Sequence, residues 1–234
     1  MRRLYLMRHG ETLYLGAHSE DGTDLTPAGR VQVERVADTF GGVALDLLVS
    51  SPAVRARGTA QIVAARHGLE VEIDEDLREI TPGRLDGMEL TDIFADVVRF
   101  FSGQGVTAET PFLGGETFGQ VRARTLGAVA RLLARPRWTN ALAVAHGGAN
   151  MALLAGLLGL EGGGLPPLEQ DLACINVIDF HDDGRPIVRL VNLSVHDPLK
   201  GSHREPSFER LRRVLGERGE QLRGLRWSGG DPPV

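Results

Sequence analysis

The sequence predicts one α/β domain, a three-layer sandwich whose mostly parallel central sheet is flanked by helices on both faces. Two patterns lead to it. Short apolar runs alternate with segments of helical periodicity along most of the chain, and two of the runs stop on a histidine followed by glycine. The length of 234 residues, with 42% hydrophobic residues, suits a single domain with a sizeable core.

The elements follow in order. Leu4 to Met7 reads as a short buried strand, residues 3–7, and leads into Arg8-His9-Gly10-Glu11. Thr26 and Pro27 offer an N-cap and a first-turn proline for a helix to about Phe40. A second strand is expected over 45–50. Pro52 to Arg66 then carries apolar residues at helical spacing, with a proline suited to its first turn. Arg66-His67-Gly68 repeats the letters of 8–10 but reads as a helix end, with cations at the negative pole and a glycine free for the left-handed cap. Further strands are expected at 69–73, 141–145, 172–180 and 187–193, and helices at 90–101, 116–134 and 148–159. Asp179 to Gly184, around His181, reads as a hairpin turn. The stretch 103–115 is the least regular internal segment, and 162–167 is a loop by composition. Beyond Gly201, Leu211, Val214, Leu215, Leu222 and Leu225 share one face of an amphipathic helix. A packed terminal helix and a homodimer contact both fit that pattern. The interleaved Glu205, Glu209, Glu217 and Glu220 dilute the positive charge that a membrane surface would attract.

Composition narrows the partners. Charged residues make up 24% of the chain, no apolar stretch approaches the roughly 20 residues of a membrane helix, and the N-terminal apolar run is too short for a signal peptide. Cys174 stands alone, which excludes an internal disulfide and points to a reducing, cytoplasmic compartment. A formal charge of −5 gives no global attraction to nucleic acid or anionic lipid, so local arginines must capture any anionic substrate.

Two histidines are placed for chemistry. His9 follows the first strand, and His146-Gly147-Gly148 follows the apolar run Ala141 to Ala145. Ligands of open α/β sheets bind beyond the carboxyl ends of strands, so both imidazoles can reach one pocket. A neutral imidazole attacks phosphorus, and a neighbouring guanidinium lowers its pKa while anchoring phosphate oxygens. Arg8 adjoins His9, and Ser50-Ser51-Pro52-Ala53-Val54-Arg55 puts Arg55 in the first turn of a helix, where free amides favour anions. Arg57, two positions on, points away from Arg55. A metal site is not expected: no His-x-x-x-His pair lies on a helix and the cysteine is single.

Taken together the ordered motifs resemble the histidine phosphatase superfamily, the phosphoglycerate-mutase-like proteins. Those motifs are Arg8-His9-Gly10-Glu11-Thr12, Leu25 to Gly29, Ser50-Ser51-Pro52 through Arg55-Ala56 to Thr59-Ala60, Leu77-Arg78-Glu79, Gly114-Gly115-Glu116-Thr117, Ala145 to Gly148 and Val191 to His196. The resemblance implies that His9 attacks the phosphoryl group and carries it as a phosphohistidine, with no cofactor and no metal. It implies that Arg8, Arg55, His146 and Gly147 hold the phosphoryl oxygens, and that Glu79 protonates the leaving oxygen. Only the resemblance singles out Glu79 from Glu70, Glu72, Asp74, Glu75 and Asp76. Thr12, Tyr14 and His18 are candidate contacts of a substrate loop, Glu116 is a capping or loop carboxylate, and His196 a structural histidine. The implied domain spans 1–200 with a helical cap insertion at about 88–118, and 201–234 is a tail rather than a second domain. Phe94, Phe100, Phe101, Phe112 and Phe118 are assigned mostly to core packing. Gly83-Arg84-Leu85-Asp86-Gly87 stands where many members of the family carry an aromatic residue and an acid, so the loop by the acid is expected to pack differently.

The phosphatase branch is favoured, because Gly10-Glu11-Thr12-Leu13-Tyr14 lacks the tryptophan-asparagine stretch of phosphoglycerate mutases. The expected activity is metal-independent hydrolysis of a small phosphomonoester. A mutase-type phosphotransferase and an inactive phosphate-binding protein are the alternatives.

Overall fold

A computed structural model describes residues 1–12, 22–101, 103, 105–160, 166–201 and 213. Tyr14, His18 and nearly all of the tail, with its expected amphipathic helix, lie outside the described residues. Within them the strands are β1 (Arg2–Arg8), β2 (Leu47–Ser50), β3 (Glu72–Ile73), β4 (Asn140–Ala145), β5 (Ile175–Phe180) and β6 (Pro186–Leu193). The helices are α1 (Pro27–Thr39), α2 (Val54–His67), α3 (Leu90–Phe101), α4 (Phe118–Ala134) and α5 (Gly147–Leu157). All six strands and all five helices expected before the tail are present.

The strand order is β3-β2-β4-β1-β5-β6, with β3, β2, β4 and β1 mutually parallel. Strand β5 runs antiparallel to both β1 and β6, so one strand of the six is reversed. The Asp179–Gly184 hairpin makes β5 and β6 antiparallel, as a tight turn does, and the pairing of β5 with β1 makes β5 the reversed one. In that turn the amide of His181 donates to the Arg185 carbonyl, and Gly184 takes φ 83°.

Period-2 alternation divides the core between the two faces of the sheet. Leu4, Leu6, Ala141, Ala143 and Val49 point toward Val121, Ala128 and Leu132 of α4 and Ala152, Leu153 and Leu154 of α5. Met7, Leu48, Leu142 and Val144 point toward Val33 and Val36 of α1 and Ala56, Ala60 and Val63 of α2. Full burial of one such leucine or valine contributes about 1.5–3 kcal/mol. The many alanines on α2 and α5 let these helices lie close to the sheet, which brings their N-termini against its carboxyl edge.

Helix ends depart from expectation by small amounts, each for a local reason. Helix α1 begins at Pro27, and the Thr26 hydroxyl accepts from the Gly29 amide at 2.9 Å. Helix α2 begins at Val54, two residues past Pro52. Proline keeps the preceding Ser51 extended, and Ala53 is still outside the helix at ψ 138°. Its other end is as read: Arg66 and His67 fill the last turn and Gly68 is left-handed at φ 63°. Helix α4 starts after a capping box between Thr117 and Gln120. Strand β5 starts three residues late because Ala173 sits at φ 57°, where its amide donates to the His9 carbonyl. In the 88–118 segment Phe100 and Phe112 are buried with ring centroids 5.0 Å apart, and Phe118 is buried in the α4 face of the core. Among the described residues no helix is long and apolar enough to cross a membrane.

Candidate active site

The register of the parallel strands decides which residues meet. Arg8 of β1 is level with Ala145 of β4, so the next residues, His9 and His146, emerge side by side, and the His9 amide donates to the Ala145 carbonyl at 3.0 Å. Their rings lie 5.2 Å apart, centroid to centroid. Ser50 of β2 is level with Val144, which sets Ser51 beside His146. Helix α2 then begins, and Arg55 in its first turn reaches back until Nε is 3.3 Å from His9 Nε2. Residues 9, 55 and 146, from three distant stretches, converge at one point on the carboxyl edge of the sheet.

Hydrogen bonds orient both imidazoles. His9 Nδ1 lies 2.8 Å from the Gly10 carbonyl, an acceptor only, so Nδ1 carries the hydrogen and Nε2 keeps its lone pair. Gly10 is itself fixed, its amide donating to Thr59 Oγ1 at 3.0 Å. His146 Nε2 lies 2.8 Å from Ser51 Oγ, while its buried Nδ1 has no hydrogen-bond partner. Both rings are fully buried. Burial is the main cause that holds both well below the usual histidine pKa; Arg8 and Arg55 add to it at His9, and His9, Arg55 and Arg8 at His146. Both are therefore neutral near pH 7.

Arg8 and Gly147 form one wall. A Cβ on Gly147 would stand 3.3 Å from the Arg8 guanidinium carbon, so the absence of a side chain lets α5 begin against that guanidinium. Arg8 Nη1 also donates to the Gln170 carbonyl. Gln170 is buried and held by a reciprocal amide pair with Asn176, at 2.8 and 2.9 Å.

Glu79 arrives from the opposite side. Its carboxylate accepts from the amides of Gly148 at 3.0 Å and Ala149 at 2.9 Å, both in the first turn of α5, and from its neighbour Ile80 at 2.9 Å. These three amides fix the Glu79 carboxyl group at the start of α5, one turn from His146.

The other residues singled out in sequence fall as follows. Thr12 is buried and bridges to Leu25, and Arg57 is exposed. His67 ends α2, and His181 lies in the hairpin. His196 is away from the pocket, within 3.1 Å of Ser194 Oγ and 3.3 Å of Gln32 Nε2. Glu116 pairs with Arg124 at 2.7 Å. Sequence reasoning left Ser51 without a role and did not single out Gln170 or Arg124. Gln170 acts through its backbone carbonyl, and Arg124 binds carbonyls from its place among the other arginines of α4, so neither has a sequence signal. Among the described residues no group of three or more His, Cys, Asp or Glu gathers as a metal site would require.

Two neutral imidazoles flanked by two guanidiniums, with a carboxyl group opposite, form a cradle that fits a phosphoryl group, and the His9 electron pair faces the Arg55 guanidinium that would hold one. That combination defines a class of phosphoryl-transfer enzyme that works through histidine. The chain belongs to the histidine phosphatase superfamily (branch 1), whose family model matches residues 4–193. It is similar to a glucosyl-3-phosphoglycerate phosphatase of Mycobacterium tuberculosis, 36% identical over 178 residues that make up 71% of this chain and 80% of the relative. It is also similar to a probable phosphoglycerate mutase of Salmonella paratyphi A, 29% identical over 78% of this chain and 86% of the relative. A solved structure of mycobacterial glucosyl-3-phosphoglycerate phosphatase with inorganic phosphate superposes with a TM-score of 0.72 at 32% identity, covering 83% of this chain and 99% of that one. The phosphatases among these relatives and neighbours are phosphomonoester hydrolases.

Proposed function

We propose that the protein hydrolyses a small phosphomonoester through a phosphohistidine at His9. His9 Nε2 donates its electron pair to phosphorus as the bond from phosphorus to the leaving oxygen breaks, and Glu79 gives that oxygen a proton. Glu79, now ionised, takes a proton from water as the water oxygen attacks the phosphohistidine. Inorganic phosphate leaves, and His9 and Glu79 return to their starting states. Arg8, Arg55, His146 and Gly147 bear the charge that gathers on the phosphoryl oxygens, and one well-aimed donor of this kind is worth about 10²- to 10³-fold in rate. No metal enters the cycle. The observation that carries the reading is the fixed tautomer of His9, which turns its lone pair toward the Arg55 guanidinium.

The segment 88–118 is read as a cap that selects the substrate, with Thr12, Tyr14 and His18 contributing from the loop before α1. A net charge of −5 fits a small anion gathered by local arginines rather than a nucleic acid. Cys174, the single cysteine of the sequence, fits a reducing cytoplasm. A homodimer built through the tail is part of the same reading.

The test is phosphate release from a panel of phosphorylated metabolites that includes glucosyl-3-phosphoglycerate, run with excess chelator. Wild type is expected to release phosphate and to carry an acid-labile covalent label, while His9→Ala does neither. Loss of activity in chelator, or an undiminished rate in His9→Ala, would overturn it. Transfer of the label to a second hydroxyl faster than to water would establish the mutase alternative instead.

A further inference from the structure

Glu79 stands in irregular chain, and irregular chain does not hold a catalytic group in place by itself. Between the short 3-10 turn Glu75–Leu77 and α3, no sheet ladder satisfies the backbone, so the carbonyls of 76–79 need other donors. One side chain of α4 supplies them. Arg124 Nη1 donates to the carbonyls of Asp76 and Arg78, each at 2.7 Å, and Nη2 donates to the carbonyl of Glu79 at 3.0 Å. The remaining donors go to Glu116: Nε to Oε1 at 2.7 Å and Nη2 to Oε2 at 2.9 Å. All five N–H groups of the guanidinium are thereby engaged.

The chain beyond Glu79 is held from the same carboxylate. Glu116 Oε2 accepts from the Thr81 amide at 3.2 Å, and the Glu116 amide donates to the Thr81 carbonyl at 2.9 Å. Two glycines allow this approach, since a Cβ on Gly115 would stand 2.3 Å from the Gly83 nitrogen. The Arg124 and Glu116 side chains are 17% and 18% exposed, so the ion pair is well shielded from solvent.

We propose that Arg124, paired with Glu116, is a positioning residue that holds Glu79 where it can give a proton to the leaving oxygen; this rests on the reading of Glu79 as the acid. A lysine cannot replace it, because a single ammonium lacks the planar fork that spans three carbonyls and a carboxylate. A displacement of about 1 Å at a reacting group costs on the order of a hundredfold in rate.

The leaving group separates positioning from folding. 3-Phosphoglycerate releases an alkoxide that needs a proton, whereas p-nitrophenyl phosphate releases a phenolate that does not. In Arg124→Lys, kcat on 3-phosphoglycerate is expected to fall about a hundredfold and kcat on p-nitrophenyl phosphate to change only a few-fold, with the far-ultraviolet circular dichroism of wild type. Glu79→Gln should show the same split, and Glu116→Gln, which loses the charge and turns one accepting oxygen into an NH2 group facing N–H donors, a smaller one. Equal losses on both substrates in Arg124→Lys, or no loss, while Glu79→Gln shows the split, would overturn the proposal and leave the acid in place. No split in Glu79→Gln would remove the acid and the proposal together. If Arg124→Lys does not fold, Glu116→Gln decides alone on the same criterion.

Discussion

Two buried neutral imidazoles make the fold sensitive to mild acid, and the size of the effect follows from their burial. In the unfolded chain His9 and His146 take up protons near the ordinary pKa of 6.5. In the folded protein burial and the neighbouring guanidiniums hold both well below it. Below pH 6.5 the unfolded state therefore binds more protons, and stability falls with falling pH until the folded values are reached. Above about pH 7 the contribution is fully present. Each histidine changes the folding equilibrium by up to tenfold per pH unit, and the pair by up to about a hundredfold per unit between roughly pH 6 and 5. The assay is urea unfolding followed by circular dichroism at pH 7.5, 6 and 5 at constant ionic strength, on wild type and on the double variant His9→Gln/His146→Gln. The other five histidines, His18, His67, His181, His196 and His203, are common to both and cancel. Wild type should lose stability more steeply than the variant, by up to two protons. Equal slopes would mean that the imidazoles are charged in the folded state, and the reasoning would fail.

Two further substitutions probe the placement of the acid and of the second histidine. In Gly148→Ala the new Cβ would stand 2.5 Å from Glu79 Oε1, so the carboxylate must move away from the two α5 amides. Turnover of alkyl phosphates should drop about a hundredfold while the urea midpoint changes little, and an unchanged turnover would show that Glu79 works from another position. Ser51→Ala removes the partner of His146 Nε2 at 2.8 Å and should lower kcat/KM about tenfold, within the range for loss of one hydrogen bond of about 0.5–1.5 kcal/mol. Ser51→Thr should restore most of that loss, and failure of threonine to do better than alanine would count against the contact.

How much the sequence discloses depends on whether a signal is local. Strands and helices are legible because apolar periodicity, Pro27, Thr26 and Gly68 act within a few residues. His9 and His146 are legible because a histidine directly after a buried run has few structural uses, and Arg66-His67-Gly68 shows that the same letters at a helix end mean something else. Glu79 is not legible from its neighbourhood. The acids around it have the same chemistry, and what distinguishes it is contact with amides near residue 148, far along the chain. Arg124 and Gln170 are hidden for a related reason: Arg124 binds backbone carbonyls and Gln170 offers its own, and every residue has one. That β5 and β6 run in opposite directions could have been read, since the hairpin recognised at Asp179–Gly184 already requires it; which of the two opposes the rest is set by the pairing of β5 with β1.

The close contact of Gly83 with Gly114 and Gly115 bears on how such an enzyme changes its diet. Residues 84 to 113 leave the scaffold and rejoin it at adjoining points, tied by the Gly83 amide to the Leu113 carbonyl at 3.2 Å. An excursion pinned at its base can lengthen or shorten with little entropic penalty. On the proposed reading of this segment as a cap, selection can redraw the mouth of the enzyme while its teeth stay set.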